Sequence, residues 1–426
     1  MSTAQTCTMD VAPPSVSSLQ DGPNVRIFNV KYSPNLGDGL LSECLEGGLA
    51  RHGAAQARSI DLAGRTAYSN GTAARKHALQ LLHALPSPLR REAVRLPLAL
   101  ASRRTWAPHY AAQLEEADAV VIGGGNLLAD MDLNFPTKLA LAIESAARRD
   151  LPIFLYGLGV SPGWSKEGRA RLHRALRCGQ VRRVWVRDAR SRELWQDLAG
   201  DAFGLAAGVV RDPGLLAARQ YGVPERAVRD MRPSAPARIG LNVMSALAVA
   251  YHGGQALTEE ALDAWYLALG RDLLARGYHL SVFSNGSPED RAAVERLRLR
   301  FELAEGPRRV AFPEIRNPGD LVACICDLDG LVAFRMHAII AAYSCAVPFL
   351  ALAWDAKLDA FLASVECSDH LADIAHTSPG TAAERVAHHL AQGIAPATRR
   401  ATLEEAEAGI ATLAAAIREA LAPAPR

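Results

Sequence analysis

Lysine is scarce in this 426-residue chain, which has Lys31, Lys76, Lys138, Lys166 and Lys357 among 47 basic residues. The rest are arginine, and 45 acidic residues bring the formal net charge to +2. No global field therefore points to nucleic acid. Cysteine is sparse and odd in number, at positions 7, 44, 178, 324, 326, 345 and 367, with no C-x-x-C. That spacing argues against a disulfide framework and for buried free thiols in a reducing compartment. On a strand, Cys324 and Cys326 would share one face. No H-x-x-x-H or carboxylate cluster is in view, so neither a metal nor a resident cofactor is expected. Residues 1–24 lack both a basic start and an apolar run, which excludes a signal peptide and reads as a disordered leader. The most apolar stretch, "LVAFRMHAIIAAYSCAVPFLALAWDAK" (331–357), approaches the ~20 residues of a membrane span. Arg335, His337 and Pro348 interrupt it, and a charge at mid-membrane costs about 3 kcal/mol. It reads instead as a buried strand ending at Phe334, a helix over 338–345 and a second strand over 349–353.

What is present is ample core material: 49% hydrophobic and 22% charged residues, on a length suited to two or three domains. Apolar runs alternate with helical patterns. "VRIFNV" (25–30), "ADAVVIGGG" (117–125), "LPIFLYGLGV" (151–160), "VRRVWVRD" (181–188) and "AFGLAAG" (202–208) read as strands of one sheet. "RIGLNV" (238–243), "YHLSVFSNG" (278–286), "RRVAF" (308–312), "LDGLVAF" (328–334) and "VPFLALA" (347–353) read as a second. This predicts an α/β protein with two Rossmann-like, doubly wound domains facing a central cleft. The expected boundaries are 25–210 and 238–375, with a proline-broken linker over 211–237 and C-terminal helices over 376–426 packing across both.

The segment 66–110 interrupts the pattern. Between Arg75 and His109 stand seven Lys or Arg and one acid, Glu92, with leucines and Trp106 interspersed. It reads as a helical insertion with a solvated basic face, or as a surface for peripheral contact with anionic lipid.

The strand ends carry the polar chemistry. "NLGDG" (35–39) follows the first strand and lacks G-x-G-x-x-G, which disfavours a plain dinucleotide site. Asp38 is placed at a helix cap, where it would accept amide hydrogen bonds. In "VVIGGGNLLAD" (120–130), Gly124, Gly125 and Asn126 offer a backbone opened to an anion at a following helix N-terminus. In "VWVRDARS" (184–191), Arg187 leaves a buried strand, either to grip a carboxylate or phosphate or merely to pair with Asp188 at the surface. In "FRMHA" (334–338), Arg335 and His337 stand two apart at a strand end, and a period of two would point both to one side.

In this order the motifs resemble those of the polysaccharide pyruvyl transferases. The likeness runs from about Val25 to Phe361 and includes the N-x-G-D turn, the glycine triplet, "GLGVSPG", "VRDARS", "DPG" (212–214) and "FSNGSPED" (283–290). Its most specific part is the R-M-H-A…P…K pattern. The resemblance implies a GT-B-like two-domain fold and transfer of pyruvate from phosphoenolpyruvate to two sugar hydroxyls as a cyclic ketal. It implies Arg187, Arg335 and His337 as donor-site residues and Asp38 as an acid/base candidate. The implied partners are phosphoenolpyruvate and a sugar acceptor in a polysaccharide or lipid-linked precursor, in the bacterial cytoplasm or at the inner face of the membrane.

The residue types suit that chemistry, since a donor with a carboxylate and a phosphate needs fixed cations and amides, and His337 can give or take a proton. A nucleotide-sugar glycosyltransferase on the same architecture is the rival. The spaced glutamate pair that many retaining members keep at their C-terminal nucleotide site is missing after Gly330. A non-catalytic glycan-binding relative would be expected to have lost these motifs, and they are intact.

Overall fold

Strand pairing divides the chain into two six-stranded parallel sheets. The computed structural model describes residues 22–68, 87–224, 236–253, 258–305, 309–354 and 356–423. The first sheet contains β1 (Asn24–Asn29), β2 (Gln56–Asp61), β3 (Ala119–Leu128), β4 (Ile153–Val160), β5 (Val181–Val186) and β6 (Ala207–Val209), in the order β2-β1-β3-β4-β5-β6. The second contains β7 (Arg238–Asn242), β8 (His279–Phe283), β9 (Val310–Ala311), β10 (Gly330–Ala333), β11 (Phe349–Leu352) and β12 (Leu371–Ala372). Its order is β12-β11-β10-β7-β8-β9. The order reverses between β1 and β3 and again between β7 and β10, and a doubly wound sheet opens its ligand crevice at such points. β1 leads into "NLGDG" and β10 into "FRMHA", while β3 contains the glycine triplet.

Central strands are apolar because both faces are covered: β3 from Ala119 to Gly125 and all of β4 are buried. Two strands escape a hydropathy reading. β2, "QARSID", is a half-buried edge strand, and β12 has two residues. Residues 201–203 are helical, so β6 is shorter than its sequence run predicts. Cys324 and Cys326 lie on the helix Pro318–Cys326, not a strand. Cys178 is exposed, and Cys326 Sγ lies 2.7 Å from Cys345 Sγ.

One core joins the two sheets. Leu36, Leu40 and Leu45 of α1 (Leu36–Arg51) cluster with Phe283, Ile315, Leu321, Ala338 and Ile340 from the second half. The start of the expected linker is buried in this seam, where Pro213–Leu216 forms a 3-10 turn. Leu215 O accepts from Ser344 Oγ (2.7 Å), and Ser344 Oγ accepts from Ala218 N (3.0 Å). The C-terminal helix Pro396–Leu421 crosses to the first half, where Glu407 meets Arg51, His52 and Arg219.

Residues 69–86 of the basic insertion, including Arg75 and Lys76, lie outside the described residues. Beyond them runs the helix Ser87–Ala101, on which Leu96 and Leu100 are exposed and Arg95 pairs with Glu167. Arg95, Arg103, Arg171 and Arg174 line a cavity of about 220 Å³ beside Glu144. Trp106 corrects the expectation of an aromatic lipid contact. It is 7% exposed, packs in the core under the first sheet and carries the Lys138 ammonium 4.9 Å above its ring.

Candidate functional site

The first half of the site is the turn after β1. Asp61, at the end of β2, accepts from Tyr32 N (3.0 Å), Ala63 N (2.8 Å) and Arg65 Nε (3.0 Å), which fixes the loop that leads into α1. Asn35 is the N-cap, its side chain accepting from Gly37 N at 3.3 Å. Asp38 is therefore not the cap, as its sequence position predicts, but the third residue of the helix. Its carboxyl group hydrogen-bonds with Ser33 and lies in the field of Arg65 and Arg335.

The glycine triplet lies inside β3 as a bulge, not in a turn that opens a helix. Gly124 and Gly125 have φ of +82° and +86°, conformations that favour glycine, and the β3–β4 register shifts after Gly125. Both glycines are buried beneath Leu41 of α1, and a Cβ on Gly123 would lie 2.6 Å from Tyr156 O. Their visible role is to shape the strand that presents Asn126. Asn126 Nδ2 donates to Ser161 Oγ at 2.8 Å.

Arg187 follows β5 and faces Asn126 across Gly159. A Cβ on Gly159 would lie 2.6 Å from Asn126 Oδ1 and 2.8 Å from Arg187 Cζ. The Arg187 side chain is 6% exposed and its Nε lies 3.4 Å from Asp188 Oδ2, whose side chain is 20% exposed, so the guanidinium itself is buried rather than superficial. Asp188 also caps the next helix, accepting from Ser191 N at 2.6 Å.

The second half is built around β10 and the helix α2 (Met336–Ser344), whose N-cap is Arg335. Arg335 and His337 are thus joined by a helix start, not by strand alternation. The Arg335 guanidinium is held by Asp290, whose Oδ2 accepts from Nε (3.0 Å) and Nη2 (2.5 Å). Asp290 is fully buried, and its Oδ1 accepts from Ser245 N at 2.9 Å. One edge of the Arg335 fork is therefore engaged before any ligand arrives. Asp290 closes "FSNGSPED", whose Asn285 O accepts from Leu36 N of the first half at 2.7 Å. Sequence reasoning gave Asp290 no role, although it lies in a quoted motif. His337 lies against Gly37, so residues from the two halves meet at the site.

Burial pushes the Asp38 pKa up to about 6, against the opposing pull of a Ser33 hydrogen bond, Arg65 and Arg335. A helix N-terminus favours a carboxylate by about 0.3–1 kcal/mol, too little to offset a two-unit rise worth about 3 kcal/mol. Burial, then Arg187, then Arg335 push the His337 pKa down to about 3, so its ring is neutral. Burial raises the carboxyl of Asp212, from "DPG", while Arg187 opposes the rise. Arg187 Nη2, Asn126 Oδ1, Asp212 Oδ2 and His337 Nε2 are all buried without a hydrogen-bond partner among the described residues. Each such atom costs about 1–3 kcal/mol. The gathering of three such atoms near that of Arg187 makes this the candidate place for a polar ligand.

Asn126, Arg187 and Asp212 thus assemble from the first half, and Arg335 and His337 reach the same electrostatic neighbourhood from the second. Asp38 joins them through Arg335. Gly124 and Gly125 are packed against α1.

A sequence profile described as "Polysaccharide pyruvyl transferase" matches residues 35–356. No curated protein matches the chain. Among solved structures, a Listeria monocytogenes protein assigned as a UDP-N-acetylglucosamine 2-epimerase is similar, with 10% identity and a TM-score of 0.55 over 94% of this chain and 96% of that one. UDP-GlcNAc 2-epimerase from Neisseria meningitidis, bound to UDP-GlcNAc, is similar with 12% identity and a TM-score of 0.50, over 93% and 98% of the two chains. These likenesses show the GT-B architecture and no more.

Proposed function

The chain belongs to the polysaccharide pyruvyl transferase family, and on that premise we propose that it moves pyruvate from phosphoenolpyruvate onto two hydroxyls of a sugar as a cyclic ketal. The observation that carries this reading is the buried, unpartnered Arg187 Nη2 in company with the unpartnered ring nitrogen of His337. A phosphoenolpyruvate anion supplies acceptors for the first and opposite charge for the two arginines.

Protonation of the donor's methylene carbon makes a methyl group and an electron-poor carbon beside the carboxylate. One sugar hydroxyl adds there, losing its proton to a base. Phosphate departs with the C–O bond electrons, and the second hydroxyl closes the ring as its own proton leaves. The products are the ketal and inorganic phosphate. Asp38, with a pKa of about 6, is poised to supply the first proton at neutral pH. His337, neutral in the free protein, is the base for a hydroxyl. An anionic donor beside Arg187 and Arg335 offsets the field that depresses the ring and helps it hold the proton it takes.

The acceptor we infer is a sugar on a lipid-linked precursor, reached from the membrane surface. No helix among the described residues is long and apolar enough to cross a membrane. The exposed Leu96 and Leu100, on a helix with basic residues, support contact from one side. Incubation with phosphoenolpyruvate and candidate lipid-linked oligosaccharides tests the whole reading. A pyruvyl gain in product mass with matching phosphate release is expected. Transfer from a nucleotide sugar instead would overturn it.

A further inference from the structure

A pair of histidines lies at the opposite end of the second sheet from the cleft. His370 ends the turn Ser368–His370 just before β12, and His389 sits in the last turn of the helix Pro379–Gln392. Their rings stack with centroids 3.8 Å apart and planes inclined by 21°. His370 Nδ1 lies 2.9 Å from Phe349 O, at the first residue of β11. A carbonyl only accepts, so Nδ1 carries the proton and Nε2 keeps its lone pair. His389 is 3% exposed, and neither of its ring nitrogens has a partner among the described residues. Asp369 Oδ1 lies 3.9 Å from His370 Nε2.

We propose that Asp369, His370 and His389 form a binding site for a divalent transition-metal ion of the zinc class. One donor atom from each residue lies within 4.8 Å of the other two. Bonds of about 2.0–2.1 Å to a tetrahedral ion would bring the donors closer by on the order of 1 Å. That requires the stacked rings to splay and the exposed Asp369 side chain to turn inward. Two imidazoles and a carboxylate suit zinc better than calcium or magnesium, with water in the remaining position. The His370–carbonyl bond is the support that a metal-binding histidine ordinarily has behind it.

The surroundings are consistent with this set. Arg385 is the nearby opposing cation; its Nη2 donates to the backbone oxygens of Asp369 and Leu371. His388 stands edge-on to His389. The site lies at the amino end of β11, so the ion would clasp β11, β12 and the following helix rather than join the transfer chemistry.

The test uses the full chain, treated with chelator and titrated with Co²⁺, whose visible absorption reports histidine ligation, followed by competition with Zn²⁺. One equivalent of Co²⁺ displaced by Zn²⁺ is expected. His389→Phe keeps a flat ring in the stack and should abolish that equivalent, together with any Zn²⁺-induced rise in Tm. Asp369→Asn alters an exposed side chain and should weaken binding at least about tenfold. Absence of binding, or one equivalent retained at wild-type affinity in Asp369→Asn or His389→Phe, would overturn the site. If His389→Phe fails to fold, the Asp369→Asn titration decides alone.

Discussion

Gly37 and His337 touch across the seam between the two halves of the protein: a Cβ added to Gly37 would lie 2.7 Å from His337 Cβ and 2.8 Å from its Nδ1. Neither atom group is the far end of a flexible chain, so a methyl there must displace the imidazole or the start of α1. Gly37→Ala is expected to cost about 1–3 kcal/mol of stability by overpacking. It should also reduce kcat more than donor affinity, because the arginines are left in place. Denaturant titration beside steady-state kinetics checks this, and an Ala variant with normal kcat would remove the contact from the account.

Asp290 holds one edge of the Arg335 fork, which leaves at most the other edge for the proposed donor. Arg335→Lys keeps the charge and loses the planar fork. Phosphoenolpyruvate affinity should fall by one to two orders of magnitude, roughly 1.5–3 kcal/mol. Asp290→Asn should also weaken donor binding and destabilise the protein, because a buried guanidinium loses its countercharge. Calorimetry on both variants reads the effect, and wild-type donor affinity in Arg335→Lys would place the donor elsewhere.

Asp38 carries a pH signature. Its folded pKa of about 6 lies above the ordinary carboxylate value, so the folded state disfavours ionisation. The favourable contribution is complete below pH about 4 and is lost as pH rises through 6. Asp38→Asn should therefore raise stability by up to about 3 kcal/mol above pH 6 and leave it nearly unchanged near pH 4. Turnover should collapse in the same variant. Thermal unfolding at the two pH values decides, and a gain at both would mean that ionisation is not the cause.

His337 has the opposite sign. A folded pKa of about 3, below the ordinary imidazole value, contributes stability above pH 6.5 that is lost as pH falls toward 3. His337→Gln should flatten that limb, retain phosphoenolpyruvate binding within about tenfold and lose about 10²–10⁴ in rate. NMR titration of the ring in wild type should show its pKa rising when phosphoenolpyruvate is added. A folded Gln variant with near-normal turnover would exclude the ring from proton transfer.

The proposed membrane contact would rest on Leu96 and Leu100, without Trp106, which is buried. Co-sedimentation with anionic vesicles should fall with added salt and with Leu96→Ser/Leu100→Ser, because both apolar insertion and lipid charge contribute. Equal binding to neutral vesicles, or none to either, would exclude this surface.

The two sheets were legible because buried parallel strands write themselves as continuous apolar runs. β2 was not, because "QARSID" at an edge needs no such run. Arg187, Arg335, His337 and Asp38 were legible as polar residues where apolar strands stop. The Asp38 cap assignment failed because Asn35 and Asp38 are both competent caps, and only backbone geometry selects Asn35. The glycine triplet misled for a similar reason: positive φ serves a strand bulge as well as a turn. Asp290 was hidden because its partner is 45 residues away, and no periodicity links a carboxylate in the first turn of one helix to an arginine at the N-cap of another.

The shared core has a consequence for how this protein comes apart. Leu36 and Leu40, two residues on either side of Asp38, pack in the same cluster as Ala338 and Ile340 behind His337. Separating the halves would expose that cluster to water, so the site has no inexpensive sub-global opening. Amide hydrogens of the first turns of α1 and α2 should exchange together, at the slow rate of whole-chain unfolding. The two sheets, which look like separable domains in topology, should melt as one cooperative unit.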